Sequence, residues 1–151
     1  MTLNYLLAPI ITFLGFPIGL LLSFVSPEEM KSGRKYFKLL QNLLLVFILF
    51  FVFDYYMLPL IISLIITISV FLGIFCWQSK YKSIIIYIIL AVLLYFSSAN
   101  TSLFALESSL IFIYGIPTGS LLKPKEKKDS LRIVAKHVVF IILAIFLLLF
   151  F

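Results

Sequence analysis

Charged residues are scarce in this chain. They make up 12% of the 151 residues, and cysteine and histidine occur once each, at Cys76 and His137. A soluble domain of this length usually carries about 25% charged residues, so the composition excludes an ordinary water-soluble domain. A lone cysteine cannot form an intramolecular disulfide, and a lone histidine and cysteine cannot supply a metal-ligand set. The sequence therefore predicts no metal and no cofactor.

Sequence patterns of known catalytic chemistry are missing as well. The chain contains no G-x-S-x-G, no H-E-x-x-H and no Walker A pattern. No nucleophile–base set stands out, so we predict that the protein is not an enzyme and name no catalytic residue.

Apolar residues dominate what remains, at 64% of the chain, with a mean hydropathy of +1.23. Several apolar runs approach the ~20 residues that a helix needs to cross a bilayer. The stretch 43–53 is apolar on every side, which favours helices over barrel strands. The N-terminal segment lacks a basic region before its apolar run, so we interpret it as a retained span. The sequence predicts six spans, at residues 3–25, 39–53, 58–77, 83–98, 103–122 and 133–151.

The basic residues lie at or beside three connections of this six-span arrangement. Eleven fall between spans 1 and 2, 3 and 4, or 5 and 6, and the twelfth, Lys136, lies at the start of span 6 on the same side; a tight turn at 54–56 joins spans 2 and 3. Because basic loops stay in the cytoplasm, we predict a multi-pass protein of the cell membrane with both termini outside. Basic residues that flank spans meet lipid headgroups, so the net charge of +6 does not indicate nucleic-acid binding.

A short pattern, G-x-P-x-G, occurs twice, in the inner halves of spans 1 and 5. Its two copies, called motif 1 and motif 2 below, consist of Gly15, Pro17 and Gly19, and of Gly115, Pro117 and Gly119. A basic connection and a bland apolar span follow each copy. The predicted fold is therefore an all-α membrane protein of three out-in-out hairpins, in which hairpins 1–2 and 5–6 are a diverged parallel repeat.

The two motifs have two interpretations. Proline removes a backbone donor from a helix, and paired Gly/Pro interruptions at matching positions point to a transporter site. In that case the motifs would line an inner-leaflet cavity. The simpler interpretation is a kink with a flat helix-packing surface, because small residues let membrane helices approach closely.

Small and polar residues are also unevenly distributed among the spans. Span 3 carries Ser63/Thr67 and Ser69/Gly73 at small-xxx-small spacing, and spans 1 and 5 are similarly rich. Spans 2 and 6 are almost entirely aliphatic or aromatic. We therefore predict that the odd spans form the core of the bundle and that spans 2 and 6 face lipid.

Two charged features remain as candidates. Glu107 lies four residues into span 5, where an acid is a functional candidate by default; alternatively it lies at the helix N-terminus, where the helix dipole favours an acid. Four lysines between spans 5 and 6 could contact anionic lipid or only determine topology: Lys123, Lys125, Lys127 and Lys128.

Two functions agree with these patterns. The first is a small membrane subunit or scaffold that acts through helix or lipid contacts, with the bilayer and a membrane-protein partner or further copies of itself as partners. The alternative is a small transporter or channel for a solute, a cation or a lipid, which would use the paired helix breaks. No substrate class follows from the residues.

Overall fold

All regular structure in the described part of the chain is helical. The computed structural model describes residues 3–56, 59–76, 82–122 and 127–150. Within those ranges 93% of the residues are helical and no strand is present, which confirms the predicted all-α class. The helices are α1 (Leu3–Phe13), α2 (Gly15–Val25), α3 (Pro27–Tyr55), α4 (Leu60–Cys76), α5 (Lys82–Ser97), α6 (Thr101–Leu121), α7 (Lys127–His137) and α8 (Val139–Phe150).

Four helical segments are long and apolar enough to cross a membrane, judged by length and composition. They are Tyr5–Val25, Ser32–Tyr55, Thr101–Leu121 and Asp129–Phe150. The apolar stretches of the third and fourth predicted spans are shorter, at Ile61–Gly73 and Ser83–Ser97. Among the described residues, four of the six predicted spans therefore correspond to segments of full length. The other two spans stay predictions.

Motif 1 coincides with an interruption between α1 and α2. Pro17 has no backbone N–H to donate to the preceding turn. Before Pro17, the Leu14 N–H donates to the Ile11 carbonyl at 3.0 Å in a tightened turn. After Pro17, the Ile18 N–H donates to the Leu14 carbonyl at 3.2 Å. Motif 2 behaves differently, because α6 continues through Pro117 as one helix.

The helix after motif 1 begins earlier than the sequence predicts. Span 2 was expected from residue 39, but α3 begins at Pro27, directly after Ser26. Proline suits the first turn of a helix, where its missing N–H has no partner to lose. At the other end, α3 ends at Tyr55, and the N–H groups of Ile62 and Ser63 donate to the Pro59 carbonyl as α4 begins. Residues 57 and 58 of the predicted tight connection lie outside the described residues.

Helix α6 lies at the centre of the bundle and packs against α1, α2, α3 and α5. The Tyr56 hydroxyl at the end of α3 donates to the Phe96 carbonyl, just before α6 begins. Gln41, earlier on α3, bonds to Thr118 near the end of α6. Helix α3 is therefore antiparallel to α6.

The predicted assignment of core and lipid-facing spans is wrong for three helices. Helix α8, in span 6, buries Phe140, Ala144 and Leu148 and packs on α5 and α1. Helix α3, in span 2, has a buried face that includes Leu45, Ile48 and Leu49 and packs closely on α6. Helix α4, in span 3, packs mainly on α3 and exposes Ile61 and Ile65. Small residues mark where two backbones can approach, but interlocking aliphatic side chains make helix contacts too. Residue size alone therefore does not identify the core helices.

Candidate functional site

Motifs 1 and 2 lie against each other across the α2–α6 interface. A Cβ atom added at Gly15 would collide with the Phe112 carbonyl oxygen, and one added at Gly19 would collide with the Ile116 carbonyl oxygen. Both obstacles are backbone atoms, which cannot rotate away as a side chain can. The glycines of α2 are therefore required by the close approach of α6.

The glycines of α6 meet α2 in the same way. A Cβ at Gly115 would lie 2.6 Å from the Phe16 nitrogen, and one at Gly119 would lie 2.7 Å from the Leu20 nitrogen. Contacts advance along both helices in the same direction, so α2 and α6 are parallel. We call this surface of four glycines the glycine interface.

A polar contact adds to the glycine interface. The Ser120 hydroxyl lies 3.1 Å from the Gly19 carbonyl of α2 and 2.7 Å from the Ile116 carbonyl of its own helix. Pro117 is buried, whereas Pro17 is half-buried. Backbone atoms of the facing helix fill the space in front of each motif glycine. The transport interpretation requires a cavity at this position, and the two motifs instead contact each other there.

One sequence signal for this interface was available. Each motif is a pair of glycines four residues apart, which is the G-x-x-x-G spacing of closely packed membrane helices. The simpler interpretation of motifs 1 and 2, a flat helix-packing surface, agrees with this spacing. Two copies of the spacing in one chain point to a helix pair.

Glu107 is fully buried within α6. Its side chain has 0% exposure, and neither carboxyl oxygen has a hydrogen-bond partner in the described structure. Helix α6 starts at Thr101 and is capped by Asn100, whose side-chain oxygen accepts from the Ser102 and Leu103 N–H groups. The alternative position at the helix N-terminus is thus taken by Asn100, and Glu107 lies more than one turn further in.

Two further polar residues share the face of α6 that Glu107 occupies. The spacing of 107, 114 and 118 places Tyr114 and Thr118 on that face. The Gln41 amide nitrogen of α3 donates to the Tyr114 hydroxyl at 3.2 Å and to the Thr118 hydroxyl at 3.1 Å. Sequence reasoning missed Gln41, although the amide pair Gln41-Asn42 at the start of an apolar stretch was a usable signal.

His137 is buried in an aromatic cluster at the same end of the bundle. Its ring stacks on Phe16 at 4.4 Å and meets the Tyr87 ring edge-on at 5.3 Å. Its Nδ1 lies 2.8 Å from the Ile133 carbonyl and its Nε2 lies 2.9 Å from the Ser83 hydroxyl. Because a carbonyl only accepts, Nδ1 donates to it and Nε2 accepts from Ser83. The contacts satisfy both nitrogens of a buried imidazole.

Apolar surface grooves lie away from the motif glycines. One, of about 610 Å³, runs between α1 and α6 and is lined by residues that include Ala8, Phe104 and Ser108. Another, of about 640 Å³, lies between α3 and α4 beside Asn42 and Phe71. None of the four glycines lines either groove.

The four lysines between spans 5 and 6 are the predicted candidates for contact with anionic lipid. Lys123 and Lys125 lie outside the described residues, and the side chains of Lys127 and Lys128 do too, so the lipid-contact prediction stays a prediction. Among the described residues, no three His, Cys, Asp or Glu side chains come together as a metal site.

Comparison with known proteins adds no relative. No protein-family model matches the chain, and no curated protein and no solved structure matches it. The functional argument therefore depends on the geometry described above.

Proposed function

We propose that this chain is a small multi-pass membrane protein that acts as a helical subunit or scaffold. The observation that carries the proposal is the contrast between a closed interior and an apolar exterior. Inside, two helices meet backbone to backbone at the glycine interface. On the outside, many large apolar side chains are exposed. Five that are at least 63% exposed are Leu21, Val25, Ile61, Ile142 and Phe150. Such a surface is unfavourable in water and suits lipid or partner helices.

In this proposal six segments cross the membrane. The antiparallel course of α3 against α6 and the parallel course of α2 and α6 support three hairpins, with hairpins 1–2 and 5–6 as a parallel repeat. Both termini would lie outside. The exposed basic residues of α3 and α7 would face the cytoplasm; they are Arg34, Lys35, Lys38, Arg132 and Lys136.

Reporter fusions test this topology. An enzyme that is active only in the cytoplasm should be silent when fused after residue 151, and an enzyme that is active only after export should work there. The same pair inserted within residues 123–126 should give the opposite result. A cytoplasmic reporter that is active at the C-terminus would overturn the six-span arrangement.

Purification from native membranes in mild detergent tests the subunit role. We expect the protein mass of the particle, measured by light scattering, to exceed the 17.3 kDa of one chain. A stoichiometric partner or a homo-oligomer would support the proposal, and a protein that runs as a single chain would contradict it.

Two matched substitutions then locate the contact. Gly73→Trp alters the exposed face of α4, where an added side chain starts in open space. Ile142→Trp alters the exposed face of α8. Neither should unfold the bundle, so a reduced particle mass in one variant alone identifies the face that carries the contact.

The transport alternative has one supporting observation, and it is not the motifs. A solute path along the glycine interface would need space that the facing backbone occupies. Glu107, a buried acid without a partner, is the feature that a scaffold does not require.

A further inference from the structure

Glu107 is the one acid among the buried polar groups that lack a hydrogen-bond partner in the described residues; the others are the hydroxyls of Thr67, Tyr87 and Ser108. Both of its carboxyl oxygens are buried without a hydrogen-bond partner among the described residues. A buried polar group without a partner destabilises a protein. Apolar residues would fill the same space without that cost. An ionisable side chain at such a position in a membrane helix is therefore a functional candidate.

Among the described residues, the surroundings of Glu107 supply no counterion. In the outer half of the bundle, the described titratable residues on the helices packed against α6 are tyrosines and one acid. They are Tyr5 on α1, Tyr95 on α5, Asp54 and Tyr55 on α3, and Tyr56 directly after α3. Helix α2 has no titratable residue. Further in lie Tyr87 and Tyr114.

The basic residues of α3 are too far along the bundle to serve as counterions. Arg34, Lys35 and Lys38 precede Gln41, which itself pairs with Thr118. Thr118 lies eleven residues beyond Glu107, or roughly 16 Å along the axis of α6. An isolated carboxylate costs several kcal/mol to bury, and no cation offsets that cost here.

We propose that Glu107 is a proton-binding site inside the membrane, loaded and emptied from the outer side. Loading forms an O–H bond between a carboxylate oxygen and a proton delivered by water, and it changes the charge of the side chain from −1 to 0. Release returns the proton to water on the same side. This inference uses the membrane placement proposed above but not the scaffold role.

Distances along α6 support one-sided access. Glu107 lies six residues after Thr101, roughly 9 Å from the outer end of the helix, and helical side chains lean toward that end. Toward the inner side, Ile111 is fully buried, and the next polar group on this face is the Tyr114 hydroxyl. Position 114 lies seven positions beyond 107, roughly 10 Å along the helix axis, and no hydrogen bond joins the Glu107 carboxyl to the Tyr114 hydroxyl in the described structure.

Infrared spectroscopy of the full chain in liposomes tests the proton site. At neutral pH we expect the carbonyl band of a protonated carboxylic acid, its complete loss in Glu107→Gln, and no change in Glu28→Gln, where the acid is exposed. Dicyclohexylcarbodiimide, which enters from the lipid and modifies protonated carboxyls, should add to the wild type and not to Glu107→Gln. A missing band, or a band that persists in Glu107→Gln, would overturn the proposal.

A second variant separates this role from a structural one. Because Glu107→Leu removes an unpartnered polar group, the thermal midpoint should rise or stay unchanged while the band disappears. A lower midpoint would mean that Glu107 holds the bundle together, and the proposal would fail.

Sidedness is measured in right-side-out vesicles. The band should follow a pH change applied outside and ignore one applied inside. A band that follows the internal pH would overturn the outer access. Failure of the purification experiment described above would leave these measurements unaffected, so the two proposals fail separately.

Discussion

Helix α6 carries Gly115 and Gly119 at four-residue spacing, α4 carries Ser69 and Gly73 at the same spacing, and the bundle uses these two pairs in opposite ways. On α6, Gly115 and Gly119 lie against the backbone of α2. On α4, a Cβ added at Gly73 would meet nothing within 4 Å, and the Ser69 hydroxyl bonds only within its own helix, to the Ile65 carbonyl. The same sequence pattern thus closes one interface and leaves another surface open.

The difference lies in the partner helix. Helix α2 carries a matching pair of glycines, so both surfaces are flat and two backbones can come into contact. Ser69 and Gly73 have no such partner among the described residues, because both lie on the exposed face of α4.

The largest expected effect is at the glycine interface. Gly119→Ala places a methyl group against the Phe16 carbonyl and the Leu20 nitrogen, so α2 and α6 must separate, and we expect a loss of about 3 kcal/mol in unfolding free energy. Denaturant unfolding in detergent measures it. Gly73→Ala is the matched control and should gain up to about 1 kcal/mol from helix propensity. Equal effects at both glycines would contradict the comparison.

A smaller effect is expected at the contact of α3 with α6. Gln41→Leu removes two hydrogen bonds, to Tyr114 and Thr118, and should cost about 1.2 kcal/mol at the average found for such bonds between membrane helices. Asn42→Leu alters the neighbouring residue, which lines the groove toward α4, and should change stability by less than about 0.5 kcal/mol. A larger loss for Asn42→Leu would reverse the ranking of the two interfaces.

On α4 we expect a substitution that stabilises. The Thr67 hydroxyl is buried without a hydrogen-bond partner, so Thr67→Val should raise the unfolding free energy by about 1 kcal/mol. Ile68→Val, at an exposed neighbour, should have little effect. Destabilisation by Thr67→Val would mean that the hydroxyl has a partner in the membrane.

The smallest effect concerns two serines. Ser120→Ala removes the hydroxyl that bridges to the Gly19 carbonyl and should cost about 0.6 kcal/mol. Ser69→Ala removes a hydroxyl that bonds only within α4 and should be neutral in the same unfolding assay. An indistinguishable pair would show that the bridging bond does not stabilise the glycine interface.

Much of the helical layout was predictable from local sequence. The all-α class, the end of α3 at Tyr55 and the end of the first span at Val25 follow from hydropathy and proline positions. The early start of α3 was not predicted, because the polar stretch after Ser26 lowers local hydropathy without preventing a helix. Hydropathy indicates which part of a helix can enter lipid, but it does not indicate the residue at which the helix begins.

The candidate sites were predictable only in part. The motif residues and Glu107 stand out by type and position, so sequence reasoning could single them out. Gln41 and the pairing of Ser83 with His137 did not stand out, since the latter two residues lie 54 positions apart. Contacts of that kind depend on which helix faces lie together.

The sequence by itself determined a helical, strongly apolar chain whose basic residues cluster in a few polar stretches, because hydropathy, proline and charge act within a few residues of where they occur. Only the tertiary structure decided that α2 and α6 are partners, that α4 is peripheral, and that Glu107 lies in the interior without a partner. These outcomes depend on the shapes of two facing helices together. A glycine, a serine or an acid has the same local preferences whether its neighbour is backbone, side chain or empty space.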